Sequence, residues 1–117
     1  MLQSTIQIFN IIGTPYAVEA NDGESVYSAI LKYFDNKRSV DLSFLNIDLA
    51  TTSFLNTAIG KLYEKFDDAI ISEKLNIVDA DEGTIEQINK VKESAKIFYN
   101  DPQWLEDSIK SIVEGKE

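Results

Sequence analysis

The chain contains no cysteine and no histidine, and only two prolines, one methionine and one tryptophan in 117 residues. Each gap removes chemistry. Without cysteine there is no disulfide framework, thiolate nucleophile, iron–sulfur cluster or Cys-based zinc site, and no anchor for a prenyl or palmitoyl group. Without histidine the usual general base near neutral pH is missing, together with the commonest ligand of transition metals. No apolar run approaches the roughly 20 residues that cross a bilayer. Met1-Leu2-Gln3-Ser4-Thr5-Ile6 also lacks the basic start and long apolar stretch of a signal peptide. The expectation is a cytoplasmic, non-enzymatic protein with no cofactor, no metal and no membrane partner.

Positive charge is scarce as well. Eleven Lys and Arg face 20 Asp and Glu, a net charge of −9. The excess is diffuse: residues 1–38 carry 4 acidic and 3 basic side chains, residues 39–79 carry 7 and 3, and residues 80–117 carry 9 and 5. No basic stripe emerges, and an acidic surface repels phosphate backbones, so nucleic acid is not an expected partner. The plain account of the charge is solubility; the sharper one is acidic mimicry of nucleic acid. With 44% hydrophobic and 26% charged residues, the chain is a globular protein long enough for one domain and one core.

Periodicity then supplies an order of elements. Thr5 to Ile12 is rich in β-branched residues and closes on Gly13-Thr14-Pro15, the pattern of a strand and a turn. Tyr16 to Ala20 reads as a second short strand, giving an opening hairpin. Asn21-Asp22-Gly23 reads as a turn, with Asp22 as the N-cap of a helix whose apolar face is Val26, Ala29, Ile30, Tyr33 and Phe34, closed by Asn36-Lys37-Arg38. Ser39 to Leu45 alternates as a half-buried strand, and Asn46 to Ala50 connects. Phe54, Leu55, Ala58, Ile59, Leu62, Tyr63 and Phe66 form one long helical stripe, with Thr51, Thr52 and Ser53 where the cap and first turn belong. Asp67-Asp68 opens a loop, and Lys74 to Val78 is a short strand. After the turn Asp79 to Gly83, Ile85 to Phe98 is a third helix. Asp101 and Pro102 start a final one over the C-terminal residues. Strands alternating with helices imply an α/β fold: a sheet of about four strands with helical crossovers and two C-terminal helices. The working edge of such a sheet is its carboxyl edge, here Asn46 to Ser53 and Asp79 to Thr84.

Val40-Asp41-Leu42-Ser43-Phe44-Leu45, then Ser53-Phe54 and Gly60-Lys61-Leu62, make up a pattern. It resembles the STAS-like domain family of unknown function, a bacterial relative of the anti-sigma-factor antagonist (STAS) fold. Members of that family carry a strand of the form V-x-L-D-F-x-x-V and a helix start of the form S/T-S-F-x-x-x-x-x-G-x-L. Asn76-Ile77-Val78 and the pair Phe98-Tyr99 agree, so the resemblance spans about residues 4–100 of a single domain over 1–117, with 101–117 as a C-terminal helix. The resemblance implies a regulatory domain that binds another protein. In the better-known STAS proteins an Asp-Ser-Ser-Gly loop is phosphorylated on the Ser before Gly by a histidine-kinase-like ATPase. By position that residue is Ser53, with Thr52 beside it. This chain has Phe54 in place of the Gly and Thr51 in place of the Asp.

Thr51, Thr52, Ser53, Phe54 and Asn56 are therefore the candidate phosphorylation or partner-binding residues. A phosphate at a helix start is favoured by the exposed amides and the dipole, whereas the plain reading is that Thr52 or Ser53 caps the helix. Asp79-Ala80-Asp81-Glu82-Gly83 fails the pattern of a calcium loop, since Thr84 and Lys90 occupy the positions of its Gly and terminal Glu. Gly60, inside a helical stripe, suggests a close approach to the sheet. Tyr99 and Trp104 flank the Pro102 break, as packing residues or as a partner anchor. An acidic inhibitor acting by electrostatics is the alternative function, and a small hydrolase built on Ser, Asp, Glu and Lys is the remaining one.

Overall fold

The structure, a computed structural model, describes residues 4–100. Its centre is a three-stranded parallel sheet in the order β1 (Ser4–Gln7), β3 (Val40–Ser43), β5 (Leu75–Val78). Ile6 pairs with Leu42 and Leu42 with Ile77, so the apolar positions share a register across the sheet. Val40 and Leu42 are fully buried in the middle strand, as the alternation of that segment requires. Parallel neighbours need crossovers, and both connections run through helices. Strand and helix thus alternate as the sequence implies, in an α/β fold.

The first departure comes after Gln7. The β-branched run does not continue as a strand; Ile8–Ile12 forms a short helix, α1, closed by Gly13 at φ 75, whose N–H bonds Phe9 O at 2.8 Å. Tertiary packing decides here against β propensity, since the turn carries Ile8 into full burial. The opening hairpin is also replaced. β2 (Tyr16–Ala17) pairs in parallel with β4 (Leu49–Ala50), a strand inside the segment expected to be a plain connection.

Helix α2 spans Ala20–Asp35, three residues earlier than expected, so Asp22 lies in its first turn and does not cap it. Gly23 falls within the helix, not in a turn. It is the point of contact with α3 (Thr52–Ala58): a β-carbon there would meet Phe54 O and Thr57 Cβ at 2.8 Å each. The expected long helix to Phe66 is two pieces. After Ile59 the chain tightens into a 3-10 helix, Gly60–Glu64, in which Leu62 N donates to Ile59 O at 3.0 Å. A β-carbon on Gly60 would meet Val91 Cγ1 and Ala95 Cβ of α5 (Glu82–Asn100) at 3.6 and 3.8 Å, so its packing neighbour is a helix and not the sheet. The loop expected at Asp67-Asp68 is the start of α4 (Asp68–Lys74), capped by Asp67 Oδ1 accepting from Ile70 N at 3.0 Å. α5 runs over Glu82–Asn100. The break at Pro102, Trp104 and the final helix lie outside the described residues.

The core fills the space between these layers with Ile8, Ile30, Leu42, Phe54, Leu62 and Ile71, all fully buried. Among the described residues the one buried polar side chain is Ser43, which donates to Asp79 Oδ2 at 2.6 Å and accepts from Leu45 N at 3.2 Å. That pair ties the carboxyl ends of β3 and β5. Gly23→Ala is expected to destabilise the protein by about 1–3 kcal/mol through overpacking against α3. Gly60→Ala, with ordinary contact distances, is expected to be neutral or stabilising by up to about 1 kcal/mol. Urea denaturation of the two variants checks the contrast.

Candidate functional site

The helix start that follows β4 is held by Thr51. Its N–H donates to Ala17 O at 3.0 Å, its hydroxyl donates to Val18 O at 3.1 Å, and the same oxygen accepts from Phe54 N at 3.2 Å. An extended residue with an acceptor oxygen three positions before a free amide is the geometry of an N-cap. Threonine does more than cap here, because its proton ties the helix to the chain leaving β2. The cap belongs to Thr51, therefore, and not to Thr52 or Ser53.

Thr52 and Ser53 are the first two residues of α3 and both are exposed. Thr52 Oγ1 accepts from Gln87 Nε2 of α5 at 3.1 Å, and Ser53 O accepts from Thr57 Oγ1 at 3.2 Å. Phe54 is fully buried, so its side chain serves the core and only its backbone amide belongs to the helix start. Asn56 is exposed one turn later. Thr52 and Asn56 share a groove of about 270 Å³ with Gln87, Lys90, Val91 and Ser94 of α5. The α5 residues were not among the sequence candidates. Their signal is the polar stripe Gln87, Lys90, Ser94, at the spacing of one helix face beside the buried stripe Ile88, Val91, Ala95.

The expected second part of the working edge, Asp79 to Thr84, is structural in its own right. Asp79 takes the left-handed conformation at φ 59 and receives the Ser43 hydroxyl. Asp81 Oδ1 accepts from Thr84 N at 2.7 Å and caps α5. The Thr84 backbone amide, and then its hydroxyl, hold the Asp81 carboxyl below its ordinary value. Elsewhere Tyr63 is pushed far up by burial and by its hydrogen bond to Asp68 Oδ1 at 2.9 Å, so its phenol stays protonated. Among the described residues no group of three or more His, Cys, Asp or Glu converges in a way that could hold a metal ion, and no helix is long and apolar enough to cross a membrane.

Comparison with known proteins gives one match: the family model for the STAS-like domain of unknown function aligns with residues 22–84. That span begins in α2, takes in β3, β4 and the Thr51–Ser53 helix start, and ends at the start of α5. No curated protein and no solved structure matches the chain.

Two outcomes follow from the caps. Thr51→Val is expected to lower stability by about 1–2 kcal/mol, and Thr51→Ser to restore most of it, because only the hydroxyl is needed; thermal unfolding reads both. Since the folded-state pKa of Asp81 is depressed, its contribution is present above the unfolded value near 3.8 and is lost as pH falls through the folded value. Asp81→Asn is expected to shallow that acid limb of the stability–pH curve.

Proposed function

The chain belongs to the family of STAS-like domains of unknown function, and on that footing we propose that it is a regulatory domain, not an enzyme, that binds another protein through the helix start Thr51–Ser53. The observation that carries this reading is the division of labour among three adjacent hydroxyls. Thr51 does the capping, while Thr52 and Ser53 are exposed on the first turn. A group added to Ser53 therefore leaves the cap bond in place.

Phosphorylation is the switch this arrangement suits. A histidine-kinase-like ATPase partner would transfer the γ-phosphoryl group of ATP to Ser53 Oγ; the hydroxyl proton passes to a base or to water, and ADP leaves. The added charge of about −2 sits where first-turn amides favour an anion, and it alters the surface that a partner meets. Asn56, exposed one turn on from Thr52, extends the same surface. A cytoplasmic setting fits a partner that uses ATP.

The test uses the partner captured by the wild-type chain. Binding of Ser53→Ala, Ser53→Asp and Thr52→Asp chains is measured by calorimetry, with phosphate located by mass spectrometry on wild-type protein. Ser53→Asp is expected to weaken docking about tenfold, ~1.4 kcal/mol, with an unchanged unfolding midpoint. Equal affinity across all three variants would remove the switch.

A further inference from the structure

A second feature lies at the other edge of the sheet, where α2 leads into β3 and α4 into β5. Between the C-terminal ends of these helices is a cavity of about 430 Å³, lined by Phe34, Asp35, Lys37, Phe66, Ile70 and Lys74. That volume is within the ~300–1,000 Å³ typical of small-molecule sites. Phe34 and Phe66 meet edge to face with centroids 5.1 Å apart, and Ile70 is 37% exposed, a large apolar side chain open to solvent.

The charges around this apolar wall are unusual for a chain of net −9. Two of the three ionisable lining residues are lysines. Among the described residues, ion pairs engage Lys61 and Lys96 but neither Lys37 nor Lys74. Lysines often sit at helix C-termini to offset the last carbonyls, yet three of the last four carbonyls of α2 already have other donors. Lys32 O accepts from Asn36 Nδ2 at 2.8 Å, Tyr33 O from Arg38 N at 2.8 Å, and Phe34 O from Lys37 N at 2.9 Å. Lys37 itself stands at φ 58. Glycine takes that left-handed position after a helix without penalty, and lysine does not. The fold thus keeps a lysine in a strained backbone conformation on the lining of an apolar cavity, and such strain clusters at functional positions.

We propose that the cavity binds a small amphipathic monocarboxylate. Its apolar chain or ring lies against Phe34, Phe66 and Ile70, and its carboxylate is held by the ammonium groups of Lys37 and Lys74. Asp35, the single acid on the rim, opposes a second negative charge and restricts the site to monoanions. This site is separate from the helix start, and neither proposal depends on the other.

The probe is octanoate, titrated into the full chain and followed by two-dimensional NMR, with octanol as the neutral counterpart. Octanoate is expected to shift the amides of Phe34, Phe66 and Ile70 saturably, with octanol about tenfold weaker. Lys37→Gly is expected to raise the unfolding midpoint and yet weaken octanoate about tenfold, a combination that loss of structure cannot produce. Lys74→Gln should weaken octanoate similarly. The proposal is overturned if octanol binds as well as octanoate, if Lys37→Gly keeps full affinity or lowers stability, or if only an acidic peptide moves these amides. Nuclear Overhauser contacts from Ile70 to residues 101–117 in the unliganded chain would also overturn it, by giving the cavity an internal occupant.

Discussion

Thr51 joins three parts of the molecule that sequence keeps apart. Its backbone and side chain bond Ala17 and Val18 at the end of β2, its own residue follows β4, and its hydroxyl accepts from the Phe54 amide in the first turn of α3. The parallel pair β2–β4 is only two residues long on each side. So short a ladder supplies little pairing energy of its own, and the bonds to Thr51 extend it by one residue into the helix. The position of Thr52 and Ser53 follows from that anchor, because two residues beyond a satisfied cap have little freedom. A surface presented to a partner needs such rigidity: ordering a loose loop on binding would cost roughly 1–2 kcal/mol per residue.

The second constraint is the approach of α2 to α3. With Phe54 O and Thr57 Cβ both 2.8 Å from where a β-carbon of Gly23 would stand, the helices leave no room for a side chain at that point. The contact brings Val26 and Ile30 of α2 and Phe54, Leu55 and Ala58 of α3 into one buried layer. On the far side of α3, Gln87 reaches Thr52, and Val91 and Ala95 cover Gly60. The helix start is therefore braced by α2, α5 and the β2–β4 pair, and each brace is a different kind of interaction.

What the sequence made legible depended on how local the deciding force was. The strands Val40–Ser43 and Leu75–Val78 followed from alternation, since the same apolar positions that pattern the strand fill the core. The stripe from Phe54 to Phe66 gave the right buried face but not the break, because a 3-10 helix keeps similar residues inward while shifting its hydrogen bonds by one residue. β4 and the parallel partner of β2 could not be read, since two-residue strands exist only through each other. The cap lies one or two residues before the expected Thr52 or Ser53, because these residues and Thr51 are chemically alike and only Val18 O distinguishes Thr51. Asn21-Asp22-Gly23 has the composition of a turn, and the role of Gly23 inside α2 is visible only from the helix that packs on it. The spacing of Gln87, Lys90 and Ser94 marks one face of α5, and only the fold-back of that helix shows that the face lines the groove beside Thr52.

The two ends of the sheet share α2, whose N-terminal half interlocks with α3 and whose C-terminal end forms the cavity beside Phe34. Contiguity of that kind invites the idea that occupancy of the cavity is communicated to the helix start. Communication, however, requires an element with two arrangements that both sites bias. The Gly23 contact argues for one arrangement: a sliding α2 would drive its backbone into Phe54 O and Thr57, and an α2 that lifted away would expose Val26 and Ile30, each fully buried. Burying such side chains is worth about 1.5–3 kcal/mol apiece, more than a weakly held small ligand could offset. A rigid α2 thus separates the two ends and leaves the surface at Thr52 and Ser53 to be altered by what happens to those residues themselves.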